Sequence, residues 1–600
     1  MWLQLCHLSW PADILRRSGP RSVDIGRISV ERFLPCIERN SLYKNALPQS
    51  ATLIPTPIHW FLTMLLPATV LLTSLASAFG SPTIKLGSTT LNGLSLPDLG
   101  VEFFGGIPFA EPPLGNLRLK PPVLKTTLSG HSFDASNFGI GCLQPAPNFT
   151  AFSEDCLTLN IHRPAGVRPD AKLPVMFWTF GGGFTVGSGA SQNGSHLVSR
   201  SAARGTPIIY VNFSYRLGPL GFPQGQEADD HNILNLGLKD QIAALEWVQA
   251  NIETFGGDKS KVTAFGESAG AFMTATLMLP NSPLPKLARA AILESGTADG
   301  GAVMTASQRE NPWQVFVSSV PSCAALAKSG NTLDCLAKAS REEIFSAVNF
   351  TVSNTGGFSL TLDGPDGLVP GRASTFLSTG RFFRLPFIAG TNLDEGTVFV
   401  NSAGDLSTNG IRNSLIGRMS PPLVSAAEVN ATADEMVKLY PDVLALGSPY
   451  NTGNETFGFP SGFKRSAAIG GDTNFQAPRR RLSQAASSFG VPVYSYLFAQ
   501  PQPMGLPFDG VAHTTEIAFV YGITPDTSSL STHMMDYWLS FATSLTPNDG
   551  KGSKRPEWPL YTTKNQNILQ LKSDNLTVIP DTYRKTQIDF INSKTLDFHY

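Results

Sequence analysis

Hydrophobic positions along this chain follow two periods. From about Ser81 onward, short runs of β-branched and aromatic residues alternate with stretches in which apolar residues recur every three or four positions. Val175 to Thr179, Pro207 to Phe213, Lys261 to Phe265, Ala290 to Leu293, Pro386 to Ala389 and Val491 to Phe498 predict strands. The clearest helix is Gly237 to Thr254, whose Leu238, Ile242, Leu245, Trp247, Val248 and Ile252 mostly keep helical spacing until Gly256-Gly257 ends it. Such alternation predicts an α/β fold, a large, mostly parallel, twisted sheet flanked by helices. No internal repeat or low-complexity linker divides the chain. Residues 79–600 therefore read as one domain, with helical insertions between about 300 and 480.

The pattern breaks at the N-terminal side. Trp60 to Ala78 is apolar, uncharged and closed by Ala76-Ser77-Ala78, a small-x-small cleavage signal, so 64–78 read as a secretory signal peptide. Met64 lies just inside that run and offers a start site, which makes 1–63 an extension outside the fold. If Met1 is the start, the arginines at 16, 17, 21, 27, 32 and 39 precede the apolar run, which then becomes a membrane anchor with the bulk outside. Asn-x-Ser/Thr sites at Asn148, Asn193, Asn349, Asn430, Asn454 and Asn575 agree with export as glycosylation candidates; Asn212 forms another but falls in a core strand. The C-terminus, Asp-Phe-His-Tyr, carries neither an ER-retention signal nor an apolar anchor tail.

Composition narrows the partners. With 42% hydrophobic and 15% charged residues the 600-residue chain can bury a large core, and a net charge of −1 leaves no footprint for nucleic acid or an acidic polymer. Small neutral molecules fit better, with no obligatory membrane partner; oligomeric state has no readable code. Setting Cys6 and Cys36 aside, Cys142 with Cys156 and Cys323 with Cys335 remain as two short-range pairs, the usage expected of an oxidising compartment. Four free buried thiols are the alternative. Neither pair has Cys-x-x-Cys zinc spacing, and no cofactor or metal is implied.

The chemistry gathers at Thr263 to Gly270, where Gly266-Glu267-Ser268-Ala269-Gly270 joins a β-rich run to the helix-prone Ala271 to Ala275. Gly-x-Ser-x-Gly at such a junction is a nucleophile elbow: a sharp strained turn exposes the serine, and only hydrogen fits beside it. A flexible Gly/Ser turn is the bland alternative. A serine hydroxyl needs a base to take its proton and an acid to orient that base. Three histidines lie downstream. His513 sits in a small-residue loop after an aromatic strand, His533 in a helical run, and His599 at an end expected to fray. Asp394 or Glu395, in the loop after the strand at 386–389, would each serve as the acid. Oxyanion donors are expected from Gly181-Gly182-Gly183, which follows a strand and precedes the elbow. The same glycines would suit a phosphate loop only with Lys-Ser/Thr behind them, and Phe184-Thr185 follows instead.

Five segments together resemble the type-B carboxylesterase/lipase family of α/β-hydrolases, which includes cholinesterases and secreted fungal lipases. They are Phe104 to Pro113 (FGGIPFAEPP), Ser153 to Asn160 (SEDCLTLN), the glycine loop, Tyr215-Arg216-Leu217-Gly218, and the elbow as Gly-Glu-Ser-Ala-Gly. The similarity runs from about residue 83 to Tyr561. It implies a serine ester hydrolase, with Ser268 as nucleophile, Glu395 rather than Asp394 as acid, His513 as base, and oxyanion donors from the backbone of Gly182, Gly183 and Ala269. It also implies bridges Cys142 to Cys156 and Cys323 to Cys335, structural ion pairs Arg118 with Glu154 and Arg216 with Asp240, and Glu267 and Ser295 beside the triad. Two positions depart from the pattern. Phe180 stands where many members have histidine. Only thirteen residues, none of them tryptophan, separate Cys142 from Cys156, whereas family lipases carry a long lid there and cholinesterases a choline-binding tryptophan. The expectation is an uncapped gorge that takes uncharged esters of small or medium chain length through an acyl-enzyme. A lipase or sterol esterase on long-chain esters, and a non-catalytic adhesion protein, are the alternatives.

Overall fold

The computed structural model describes residues 81–600 apart from 356, 503–504 and 525–528. The apolar run from Trp60 to Ala78, the extension before it, Cys6 and Cys36 lie outside the described residues. Eleven strands form the main sheet. In chain order they are β1 Leu94–Leu96, β2 Val101–Pro108, β3 Thr158–Pro164, β4 Leu173–Thr179, β5 Ile209–Phe213, β6 Gly257–Glu267, β7 Ala290–Glu294, β8 Phe387–Asn392, β9 Val493–Phe498, β10 Asn567–Leu571 and β11 Thr577–Pro580. Across the sheet the order is β11-β10-β9-β8-β7-β6-β4-β5-β3-β2-β1. Pairing from β5 through β4, β6, β7, β8 and β9 to β10 is parallel; β5-β3-β2-β1 and β10-β11 are antiparallel edges. Every residue of β5, β7, β8 and β9 is buried. Helices on both faces exclude water from such strands, which is why they read as short continuous apolar runs.

Helix α1 (Leu236–Asn251) and one tighter turn, Ile252–Phe255, occupy the predicted helical segment, ended by Gly256 at φ 90°. It is less two-faced than its pattern implied. Asp240 and Gln241 are buried along with Leu238, Leu245, Trp247 and Val248. Burial of the polar pair is matched by partners: Asp240 takes a two-pronged ion pair from Arg216 at 2.7 and 2.9 Å, and Gln241 donates to Thr179 and Thr274. Helix α2 (Ala269–Thr276) leaves β6 directly and packs on the sheet.

Two satellite cores carry the insertions. Trp313, Phe316, Ile344 and Val348 form one with Leu143 and Leu220; Ile411, Leu415, Met436, Ile588 and Ile591 form the other. The helix from Gly462 to Ser488 is interrupted at Asp472–Gln476 by a wide turn whose hydrogen bonds reach five residues back. Cys142–Cys156 and Cys323–Cys335 are both bonded. The expectation of a frayed end at His599 is corrected: Asp597, Phe598, His599 and Tyr600 are all buried, because Phe598 and Tyr600 fill the second satellite core and the Tyr600 hydroxyl donates to Thr473 O. Of the candidate glycosylation sites, Asn148, Asn193, Asn430, Asn454 and Asn575 are exposed. The amide of Asn349 is tied on both sides to the backbone of Ala146, and Asn212 is fully buried. No helix among the described residues is long and apolar enough to cross a membrane.

Candidate active site

The segments singled out in the sequence meet at the carboxyl ends of the parallel strands, where open α/β sheets place their ligands. The glycine loop follows β4, Ser268 follows β6, Glu395 lies three residues past β8, and His513 lies beyond β9. Ser268 has φ 52° and ψ −125°, a conformation that costs a side-chain-bearing residue on the order of 1–3 kcal/mol. The surrounding backbone enforces it. A Cβ on Gly270 would lie 2.0 Å from Thr179 O, and one on Gly266 would lie 2.6 Å from the same oxygen. Ser268 N donates to Glu294 O at 2.9 Å, anchoring the turn to β7.

Glu395 is buried and accepts from Asn392 N at 2.7 Å, from Ser295 Oγ at 2.6 Å, and from His513 Nδ1 at 2.6 Å. The other ring nitrogen, Nε2, stands 3.2 Å from Glu267 Oε1 in the elbow and makes no hydrogen bond among the described residues. Phe475 and Phe399 hold the imidazole from the side, with ring centroids 4.7 and 5.2 Å from it. Asp394 has a different task. Its carboxylate accepts from Val511 N at 2.9 Å, Tyr450 N at 2.8 Å and Ser448 Oγ at 2.7 Å, and so ties the backbone at Val511 to that at Tyr450.

Burial depresses the His513 pKa, and the carboxylates of Glu267 and Glu395 outweigh it, so the imidazole lies above its ordinary value. The part due to Glu267 holds only while that group is ionised. Burial in turn holds Glu267 well above the ordinary carboxylate range, against the pull of His513. A third carboxyl, Glu516, is raised to about 7 by burial and by Glu395, and it takes a hydrogen bond from Asn392 Nδ2. Glu516, Asn392 and Phe475 escaped the sequence reading. Glu516 sits three residues after His513 in the same stretch, a visible signal; Phe475 comes from the wide turn, which left none.

Gly182 and Gly183 take φ 94° and 60°, and a Cβ on Gly182 would lie 2.1 Å from Val186 O. A Cβ on Gly181 would lie 2.9 Å from Ser268 Cβ, which measures how closely this loop lies against the elbow. Phe180 is buried beneath it, stacked on Tyr215 with centroids 4.2 Å apart. The loop between Cys142 and Cys156 is pinned as well: Gln144 donates to Gly187 O and accepts from Gly187 N. Arg118 and Glu154 form a buried two-pronged pair at 2.6 and 2.7 Å, part of the scaffold like Arg216 with Asp240. His533, half-buried on the helix Leu530–Ser544, and His599, beside Arg309 and Arg372, keep other company. Among the described residues no cluster of histidine, cysteine or carboxylate side chains could hold a metal.

The "Carboxylesterase family" model matches residues 80–591. The chain is 34% identical to "Secreted lipase 1" of Botryotinia fuckeliana (strain B05.10) over 86% of its own length and 94% of that protein's. It is 31% identical to "Acetylcholinesterase" of Electrophorus electricus over 82% and 85%. Among solved structures it is similar to Aspergillus niger EstA, with a TM-score of 0.74 and 26% identity, covering 87% of this chain and 99% of that one. A family model matched from residue 80 to 591, together with a relative 34% identical over 86% of the chain, makes this chain a member of the carboxylesterase family of serine hydrolases.

Proposed function

We propose that the chain is an exported carboxylic-ester hydrolase that works through an acyl-enzyme on Ser268. His513 Nε2 takes the serine proton as Oγ attacks the ester carbonyl, and Glu395 holds the ring through Nδ1–H and supports the imidazolium. Backbone N–H groups of Gly182, Gly183 and Ala269 receive the oxyanion; loss of one comparable donor typically costs about 3 kcal/mol of transition-state stabilisation. His513 then protonates the departing alcohol, and water repeats the sequence on the acyl-serine. The observation that carries this reading is the 2.6 Å contact between His513 Nδ1 and Glu395 Oε2, with the other ring nitrogen 3.2 Å from Glu267, the residue before the strained Ser268. Stoichiometric labelling by a fluorophosphonate, abolished by Ser268→Ala, is the expected result; a folded chain that resists labelling would favour a binding protein.

The substrates in this proposal are uncharged esters of small or medium chain length. Support comes from the short loop between Cys142 and Cys156, held to Gly187 through Gln144, which has neither the length nor the freedom of a lid. Long-chain esters are the second reading. Several relatives bear the name lipase, and Phe399, which touches His513, is 53% exposed at the rim. Release to the cell exterior is supported by the two disulfides and by relatives named as secreted.

A further inference from the structure

A second pocket, of 240 Å³, opens among Leu439, Ala445, Leu446, Tyr450, Arg465 and Arg584. Its composition is asymmetric. Leu439, Ala445 and Leu446 give an apolar wall, and Leu446 remains 60% exposed at the mouth. Against that wall lies Arg465, only 6% exposed, whose guanidinium donates to three neutral oxygens: Tyr440 O, Val437 O and Thr408 Oγ1. Three of five N–H groups are thereby used, and no carboxylate joins them. The other cation is already neutralised: Arg584 forms a two-pronged pair with Asp472 and lies over the Tyr450 ring at 4.3 Å. The Tyr450 hydroxyl is buried without a hydrogen-bond partner.

The Asp442 carboxylate acts on Arg465 through space, and no carboxylate is hydrogen-bonded to it among the described residues. A buried guanidinium with donors to spare can take a further anion, and its planar fork matches a carboxylate. The apolar wall calls for a hydrocarbon portion on the same molecule. The volume sets its size, since a cavity of about 150 Å³ accommodates benzene. We propose that this pocket binds a small organic carboxylate, such as an aryl or short-chain alkyl acid, with the carboxylate on Arg465 and the Tyr450 hydroxyl. Resting on the esterase reading above, this is the chemical class of the acid that the reaction releases, which makes the pocket a product-sensing site.

The pocket touches the supports of the catalytic groups. Tyr450, in its wall, and Ser448, two residues before it, bond Asp394, the neighbour of Glu395 and the holder of Val511. Arg584 grips Asp472 at the start of the wide turn that carries Phe475 against His513. A ligand that draws on Tyr450 thus acts on Glu395 through Asp394, and one that draws on Arg584 acts on His513 through Asp472 and Phe475.

Binding of 4-fluorobenzoate to the full chain, followed by fluorine NMR, tests the site, with Ser268→Ala as the host so that turnover plays no part. Saturable binding is expected, at least tenfold weaker with 4-fluorobenzamide, which lacks the charge, and at least tenfold weaker in Ala445→Trp, which fills the pocket from its exposed wall. Arg465→Gln should lose binding too, but Ala445→Trp decides the matter because it leaves the internal hydrogen bonds of Arg465 in place. Equal binding of acid and amide, or binding unchanged in Ala445→Trp, would overturn the proposal. On the active chain, benzoate should inhibit p-nitrophenyl butyrate hydrolysis in a mixed pattern that becomes purely competitive in Ala445→Trp; pure competition in both would overturn the sensing role. A chain that binds benzoate in this way yet hydrolyses no ester would sink the esterase reading alone.

Discussion

Asp394 and Glu395 are consecutive, yet they serve different parts of one segment. Glu395 meets the His513 ring at 2.6 Å, whereas Asp394 takes the amide of Val511, two residues earlier, at 2.9 Å. One carboxylate orients the imidazole, and the other positions the backbone that delivers it.

The two should therefore fail differently. Glu395→Gln leaves the ring without its anionic partner and should lower kcat by a factor on the order of 10⁴ while the melting temperature changes little. Asp394→Asn turns an acceptor-only group partly into a donor opposite N–H and O–H donors, and should cost about 1–3 kcal/mol of stability with most of kcat kept in the folded fraction. Kinetics and thermal melts on both variants check this; the reverse pattern would exchange their roles.

Because the carboxylates hold the His513 imidazole above its ordinary value of 6.5, the protonated, inactive form persists to higher pH. Activity should rise with pH through a midpoint above 6.5. In Ser268→Ala the imidazole resonances should titrate at that same raised value, and adding Glu395→Gln should bring the midpoint down. A midpoint unmoved by that change would mean that Glu395 is not the cause.

On the proposed reading, the loop of residues 143–155, held to Gly187 through Gln144, is not a lid that opens at a lipid surface. The rate on a triglyceride series should follow dissolved substrate smoothly through the emulsion threshold. A sharp jump there would favour the long-chain reading and assign capping to another segment.

Replacing Cys142 and Cys156 together by serine should cost about 3 kcal/mol by chain entropy for a loop of this length. Denaturant unfolding would measure it. Because Leu143, next to the bridge, belongs to the first satellite core, the loss should also loosen the helices at Glu310–Ser318 and Arg341–Thr355, visible as faster amide exchange.

All six predicted strands are present, because parallel strands covered on both faces must be apolar at nearly every position and so stand out in the sequence. The glycines around Ser268 and at 182–183 were legible for a related reason: each marks a place where a Cβ would strike backbone. What escaped notice were groups whose meaning depends on distant neighbours. His599 lies at the chain's end and was expected to fray, yet its neighbours Phe598 and Tyr600 fill a core most of whose residues lie more than a hundred positions away. Phe475 is one aromatic among many until the wide turn aims it at His513.

That wide turn takes up one residue more than an α-helix would, and everything after it is rotated accordingly. Three successive arginines follow, about 100° apart around the axis. Arg479 and Arg480 reach Asp581, while Arg481 reaches Asp299 and Asn592. Deleting a single residue between Asp472 and Gln476 would swing all three off their acids at once, although none of them is changed. The turn thus sets the phase between two halves of one rod, and this stretch should tolerate substitution far better than any change in length.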